Sequence, residues 1–282
     1  MHASGLSCPV SVGITVAEVG RPSGRVSSSL RSSRRRAGAR IPAPRASVAK
    51  PPAAPEALTI AGLTSLSTCD WPGKLVATVF LQGCPWRCTY CHNPALLDSK
   101  APGQVPWQQV RDLLNRRKGL LDGLVFSGGE PTRQSGLPAA MREVRELGFG
   151  VSLHTGGAYP ARLVELLPLV DWVGLDIKAL PGEYRRITGV GASGTRAFAS
   201  LDLVVASGID HEVRITVDPT VHTAEHVERL IQRVRATGAR RTVLQEVRPQ
   251  GAGAEYASRL GGRRLSDVLT FQPEGVVLRA AG

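Results

Sequence analysis

Residues 75 to 97 read LVATVFLQGCPWRCTYCHNPALL, an apolar segment that leads directly into three closely spaced cysteines. The first seven residues, 75–81, are rich in β-branched and aromatic side chains. Such near-continuous hydrophobicity is typical of a parallel strand that is buried on both faces. We predict that the strand ends at Gly83, where the chain can turn freely, and that the cysteines lie on the loop after it.

The cysteines Cys84, Cys88 and Cys91 have the spacing C-x3-C-x2-C, so one loop could bring three thiolates to one soft metal centre. Two other interpretations of these cysteines, a zinc site and a haem-attachment site, must also be considered. A structural zinc site normally needs four protein ligands, and His92 is poorly placed beside Cys91 to be the fourth. The pattern C-x-x-C-H also matches haem attachment, but it leaves Cys84 unexplained. An iron–sulfur cluster with one iron free of cysteine explains all three thiols.

This loop resembles that of radical S-adenosylmethionine (SAM) enzymes, in which three cysteines hold a [4Fe–4S] cluster and SAM binds the fourth iron. The flanking segments GLTSLS (62–67), DWPG (70–73), QGC (82–84) and CHNP (91–94) are similar to those of activating enzymes for glycyl-radical proteins. Among these, the activating proteins of anaerobic ribonucleoside-triphosphate reductases are the most similar. The resemblance covers about residues 58 to 280.

The resemblance implies a fold, two cofactors and two partners. The fold is a partial (β/α)6 barrel, and the cofactors are a [4Fe–4S] cluster and SAM. The partners are the large subunit of a glycyl-radical reductase and an electron donor of the flavodoxin or ferredoxin type. The implied cluster ligands are Cys84, Cys88 and Cys91. The implied SAM contacts are Tyr90, His92, Gly128, Gly129, Glu130, Thr155, Asp176, Lys178 and Arg214.

Hydrophobic periodicity independently predicts an α/β fold. Strands are predicted at 75–81, 123–126, 151–153, 172–177, 212–217 and 242–247, and helices at 105–118, 137–147, 161–167, 196–206 and 224–236. Six strands joined by helical crossovers build a parallel sheet that falls short of a closed eight-stranded barrel. We also expect a small hairpin at 58–68, where Cys69 follows as a small buried side chain rather than a ligand.

The site candidates each have a simpler interpretation. Residues 127–131 (SGGEP) let a backbone approach a ligand, but they also fit a plain Gly-Pro turn. Asp176 and Lys178 lie on one face of a strand and could form only an ion pair. Arg214, on an apolar strand, needs a partner, which could be a ligand or Asp176.

Three further segments carry weaker signals. The turn at 154–157 (HTGG) is a polar turn, and its histidine is expected to be structural unless the turn meets SAM. The G-x-G-x-x-G at 189–194 follows a helix-like segment and no strand, so we expect a loop rather than a dinucleotide site. Some related activases place a SAM-contacting histidine near the end of the sixth strand, where this chain has only Gln245 as a weak candidate.

The formal charge of +12 is concentrated at the N-terminus. Residues 1–57 hold nine basic and two acidic residues, which leaves +5 for residues 58–282. We predict that 1–57 is a disordered, low-complexity basic tail before a radical SAM domain at 58–282. A transit peptide and an over-extended gene start both stay open. We predict neither a membrane span nor a nucleic-acid ligand, and we expect a cytoplasmic enzyme.

Overall fold

The computed structural model describes residues 53–269 and 273–280, and a single mixed sheet organises them. The sheet has eight strands whose spatial order follows the chain from β1 to β8. Strand β1 is antiparallel to β2, and every later neighbour pair is parallel. The strands are β1 Ile60–Ser67, β2 Val76–Leu81, β3 Gly123–Gly128, β4 Gly150–Thr155, β5 Trp172–Asp176, β6 Asp210–Val217, β7 Thr242–Glu246 and β8 Val276–Arg279.

Within the described ranges, seven α-helices connect or flank the parallel strands. They are α1 Trp107–Arg116, α2 Leu137–Glu146, α3 Pro160–Leu166, α4 Tyr184–Thr188, α5 Ser193–Ser207, α6 Ala224–Arg235 and α7 Ala254–Leu260. Short 3-10 turns lie at Pro55–Ala57, Pro94–Leu96, Pro131–Arg133, Leu167–Leu169, Pro181–Glu183 and Leu265–Asp267. Helix α6 shows why these segments are helical. Its large apolar residues recur at helical spacing and are all buried, namely Val227, Leu230, Ile231 and Val234. Thr223 caps its first turn in a capping box with His226.

The main hydrophobic core lies between the helices and the outer face of the sheet. A second, smaller cluster of buried side chains involves the opposite face of the strands, where Trp71 stacks on Trp172 with ring centroids 6.4 Å apart. Because β2 contributes Val79 to the first cluster and Val76 to the second, it is apolar on both faces, as its sequence predicted.

The predicted α/β architecture is confirmed. All six predicted strands are present as β2 to β7, and helices separate them in the expected order. The sheet is open among the described residues, since β1 and β8 are its two edges and do not pair. Two details differ from expectation. The segment predicted as a hairpin at 58–68 contains instead the single strand β1, which pairs with β2, and β8 was not predicted.

Most of the predicted tail, residues 1–52, lies outside the described residues. Its last residues include the 3-10 turn Pro55–Ala57, where Glu56 forms an ion pair with Arg111 of α1 at 2.9 Å. Among the helices that the structure describes, none combines the length and the apolar character needed to cross a bilayer.

Candidate functional site

The predicted site residues lie on five neighbouring strands or on the loops directly after them. Because the carboxyl ends of parallel strands meet at one edge of a sheet, the topology gathers these residues at that edge. The cysteines follow β2, Gly128 ends β3 with Gly129 and Glu130 directly after it, and Thr155 ends β4. Asp176 ends β5 with Lys178 just beyond it, and Arg214 lies within β6.

Backbone hydrogen bonds hold the cysteine loop at both ends and in the middle. Gly83 N donates to Leu96 O at 2.8 Å where the loop begins. Arg87 N donates to Thr188 O, and Thr89 N to Ile187 O, each at 3.0 Å. These two bonds flank Cys88, the second cysteine, and fix it to the end of α4.

The three thiols are partly buried and have raised pKa values. Burial raises the pKa of Cys84 to about 12, and it raises the pKa of Cys88 and Cys91 as well. The cation of Lys178 acts against this rise at all three sulfurs. Since iron binds thiolate rather than thiol, loading a metal centre here must release protons.

The glycines of the SGGEP turn shape the support of the cysteine loop. Gly128 has φ of +116°, and a Cβ there would lie 2.3 Å from Leu81 N. A Cβ on Gly129 would lie 2.5 Å from the carbonyl oxygen of Gly83. Only glycine lets this turn lie against the end of β2, where Gly129 N donates to Leu81 O at 2.9 Å. The turn therefore positions the cysteines, whatever ligand it also meets.

Glu130 is almost fully buried, and its carboxylate ties two loops together. One oxygen, Oε1, accepts from the hydroxyls of Thr132 and Thr155, each at 2.7 Å, and from Thr132 N at 3.2 Å. The other oxygen, Oε2, accepts from Gly156 N at 3.0 Å. Burial raises the pKa of Glu130 while these donors act against the rise. Oε2 thus accepts one hydrogen bond where Oε1 accepts three, and the Thr155 hydroxyl donates its proton to Glu130.

Asp176 and Lys178 form the predicted ion pair, with Nζ 3.2 Å from Oδ2. Lys178 is 8% exposed, and its Nζ lies 5.8 Å from the centre of the Tyr90 ring. Burial alone would lower the pKa of Lys178, but Asp176 and the other acidic groups around it together outweigh burial, and the pKa lies well above its ordinary value. A permanent cation therefore lies beside the cysteine loop, with an anion adjacent to it.

Arg214 is held by partners that the sequence analysis did not identify. Its Nε lies 3.0 Å from Glu212 Oε1, and its terminal nitrogens lie 3.1 and 3.3 Å from the ring nitrogens of His154. Its guanidinium also lies over the Trp172 ring at 5.4 Å. Asp176, one of the two predicted partners, is paired in register with Arg214 across β5 and β6, but its carboxylate forms its ion pair with Lys178 instead.

Glu212 is the largest omission of the sequence analysis. It is fully buried and forms ion pairs with Arg214, Arg241 and Arg279 at 3.0 to 3.2 Å. Burial favours the neutral form, but the arginines outweigh it and the pKa of Glu212 is lowered. A usable signal existed, since Glu212 and Arg214 are two residues apart on one strand and so share a face. Gln245, the weak candidate, accepts from Arg279 at 3.0 Å.

Tyr90 and His92 frame the last turn of the cysteine loop. Tyr90 is buried, its ring meets that of Tyr256 edge-on, and its hydroxyl has no hydrogen-bond partner among the described residues. A Cβ on Gly251 would lie 2.3 Å from His92 O, so the loop after β7 packs closely on this turn.

The residues at this edge fit a [4Fe–4S] cluster and SAM. Three thiols on one eight-residue segment suit a cluster that takes one thiolate per iron. In the described ranges, no three His, Cys, Asp or Glu side chains are grouped so as to hold one metal ion. The indole nitrogen of Trp86, between two of the cysteines, is a buried donor for which the described residues provide no acceptor. A Lys178 ammonium, an Asp176 carboxylate and the free Tyr90 hydroxyl offer polar contacts for a zwitterionic cofactor.

Comparison with known proteins adds independent information. The radical SAM superfamily model matches residues 78–236. A Methanocaldococcus jannaschii protein assigned as a glycyl-radical enzyme activating enzyme is 30% identical over 71% of this chain and 85% of its own. The pyruvate formate-lyase-activating enzyme of Clostridium pasteurianum is 32% identical over 61% of this chain and 74% of its own.

A solved structure has a similar fold. SuiB of Streptococcus suis, crystallised with S-adenosylmethionine, superposes with a TM-score of 0.53 at 15% identity, over 71% of this chain and 48% of SuiB. The cysteine loop, the open parallel sheet and the family match agree, and the chain belongs to the radical SAM superfamily, enzymes whose cofactors are a [4Fe–4S] cluster and SAM.

Proposed function

We propose that this protein is an activating enzyme that places a glycyl radical on a partner anaerobic ribonucleotide reductase, in the cytoplasm. The observation that carries the proposal is the loop with three cysteines, held beside the Asp176–Lys178 pair at the carboxyl edge of the sheet. The relatives named as activating enzymes support the class of reaction. The segments DWPG and CHNP support the choice of reductase by resemblance.

When bound, the cluster and SAM supply one-electron cleavage of SAM to methionine and a 5′-deoxyadenosyl radical, which takes a hydrogen atom from a glycine Cα. Cys84, Cys88 and Cys91 would hold the cluster and leave one iron open. Lys178 and Asp176 would hold the charged groups of SAM, and the ring of Tyr90 would restrict where SAM can lie. These residues orient the cofactors and exclude water, and no general acid or base of the protein is required.

The contacts that hold the cysteine loop in place would matter for this reaction. A carbon radical abstracts hydrogen from whatever lies nearest, so the cofactor must be held in one position. The turn of Gly128 and Gly129 against β2, and the bonds from the loop to α4, fix the cysteines relative to Lys178. The interior network of Glu212, Arg214 and His154 keeps the strands below them in register.

A second partner has support of its own. Relatives named for the activation of pyruvate formate-lyase favour a formate-lyase-type glycyl-radical enzyme instead of a reductase. Both partners present a glycine Cα to the same chemistry, so the site residues keep their roles in either case.

The test is anaerobic reconstitution with iron and sulfide, followed by reduction and addition of SAM. We expect about four irons per chain, release of 5′-deoxyadenosine and methionine, and a glycyl radical on the added reductase by electron paramagnetic resonance. A radical that forms on a formate-lyase and not on a reductase would move the proposal to the second partner. Loaded, reduced protein that leaves SAM intact would refute the proposed activity altogether.

A further inference from the structure

Three exposed arginines lie on the cysteine loop and on the helix bonded to it, and we call Arg87, Arg185 and Arg186 the basic face. Arg87 belongs to the loop itself, directly before Cys88, and its backbone nitrogen donates to Thr188 O at 3.0 Å. The other two lie on α4, the helix to which the loop is bonded. This helix buries three residues and exposes two, so both of its arginines point away from the core. The buried residues of α4 are Tyr184, Ile187 and Thr188.

The charge of the basic face is not neutralised within the described residues. No carboxylate oxygen there lies within 4.0 Å of any of its three guanidinium groups, although other arginines do form such pairs, as Arg145 does with Asp171 at 2.7 Å. Glu183, the acidic residue beside α4 in the sequence, lies 3.9 Å from His226 instead. Three uncompensated cations thus adjoin a segment that contains a cluster ligand.

We propose that the basic face is the docking surface for an acidic one-electron carrier protein, which reduces the cluster from the side of Cys88. The inference rests on the proposed function, since it requires the cluster to be present. One electron leaves the reduced flavin or iron–sulfur group of the carrier and enters the cluster, and no bond forms or breaks in that step. A carrier in contact with Arg87 is one residue from a cluster ligand.

Charge complementarity is the physical reason for an acidic protein partner. Clustered charges of one sign raise association rates by about 10 to 1,000-fold at low ionic strength, and salt removes most of this gain. The carbonyl groups of Ile187 and Thr188 at the end of α4 accept hydrogen bonds from both neighbours of Cys88, so the helix that carries Arg185 and Arg186 is joined directly to a cluster ligand's segment.

The test compares two triple variants of the full, cluster-loaded protein. One replaces the basic face (Arg87→Gln, Arg185→Gln, Arg186→Gln). The matched control replaces three exposed arginines on other elements (Arg116→Gln, Arg142→Gln, Arg240→Gln), for which the described residues also provide no ion pair. Reduction of the cluster by reduced flavodoxin is followed by stopped-flow absorbance at several salt concentrations, and binding of oxidised flavodoxin by calorimetry. Photoreduced deazaflavin serves as a small reductant that needs no docking.

We expect the basic-face variant to be reduced by flavodoxin about tenfold more slowly at low salt, with weaker binding and a flatter salt dependence. The control should behave as the parent protein, and deazaflavin should reduce all three equally. Equal rates with flavodoxin in all three proteins would overturn the inference. Equally slow reduction of the control by flavodoxin would also overturn it, because the rate would then depend on net charge and not on the position of the arginines.

Two further outcomes separate this inference from its alternatives. If the basic-face variant loses affinity for a short single-stranded oligonucleotide and keeps its affinity for flavodoxin, the surface binds nucleic acid and the inference is wrong. If the parent protein loads no cluster or leaves SAM intact under deazaflavin, the proposed function fails, and the failure is visible before flavodoxin is added.

Discussion

Replacing Gly128 with alanine should destabilise the protein far more than the same change at Gly73. Both glycines have positive φ, +116° at Gly128 and +74° at Gly73. They differ in their surroundings, because a Cβ at Gly73 has no heavy atom within 4 Å. At Gly128 the same Cβ would lie 2.3 and 2.5 Å from the backbone nitrogen and oxygen of Leu81. The pair thus separates backbone strain from collision with the adjacent strand.

The magnitude follows from the two contributions. Strain from positive φ costs about 1 to 2 kcal/mol for alanine, and this is the whole effect expected at Gly73. At Gly128 the end of β3 must also move away from β2 by roughly 1 Å, which breaks the bond from Gly129 N to Leu81 O. A buried backbone pair left unsatisfied costs about 1 to 3 kcal/mol more, and the lost packing adds to it. We expect a total of about 4 to 6 kcal/mol at Gly128.

Urea unfolding of both variants under anaerobic conditions, followed by tryptophan fluorescence, measures the free energy of unfolding. Iron content after reconstitution is the second measurement, and we expect Gly128→Ala to lose iron because the displaced turn supports Gly83 at the start of the cysteine loop. Gly73→Ala should load iron normally. If the two variants are destabilised to within about 1 kcal/mol of each other, the close approach of the turn to β2 does not limit stability.

Three further outcomes are expected. Cys88→Ala should abolish iron loading while Cys69→Ala keeps it, since Cys69 follows β1 at the opposite edge of the sheet; equal iron loss in both would disprove the ligand assignment. Glu212→Gln should lower the free energy of unfolding by about 3 kcal/mol because it leaves the largely buried Arg214 without its ion-pair partner, and adding Arg214→Met should restore part of it; an unchanged urea midpoint would contradict this. Burial, and then Arg214, lowers the pKa of His154 in the folded state, so the unfolded chain binds more protons below pH 6.5. Stability should therefore fall as pH drops below 6.5, by at most about 1.4 kcal/mol per pH unit, and urea titrations of His154→Gln should show a smaller slope.

The sequence predicted the strands that carry a short set of buried apolar residues between helical segments. Strand β2 is the clearest, with five of its six residues buried, whereas β6 also carries Glu212 and Arg214 but keeps Val213, Ile215 and Val217 buried at alternate positions. Strand β8, Val276–Arg279, has only four residues, and two of them, Val277 and Leu278, are exposed. Its place in the sheet depends on pairing with β7, which local periodicity cannot reveal. The same applies to β1, whose partner is β2.

In the candidate site, too, features set by local spacing could be predicted and features set by long-range contacts could not. Motifs on one short segment, such as the cysteines and the Asp176–Lys178 pair, were visible because local spacing determines their geometry. The partners of Arg214 were not, since His154 reaches it from β4, sixty residues earlier in the chain. The role of Gly128 was only half visible, because close approach to a ligand was predicted, whereas the approach to Leu81 depends on the register of two strands.

The bonds that hold the cysteine loop also have a consequence for biosynthesis. The loop is complete at Cys91, but Thr188, which anchors it, is synthesised about 100 residues after Cys88, and Gly251, which packs on His92, about 160 residues after Cys91. At ribosomal rates of about 5 to 20 residues per second, the thiols wait roughly 8 to 30 seconds for the last of these contacts. During that time the cysteines are tethered only to a nascent strand. Cluster insertion must therefore follow synthesis of nearly the whole domain, and the nascent thiols depend on the reducing power of the cell until then.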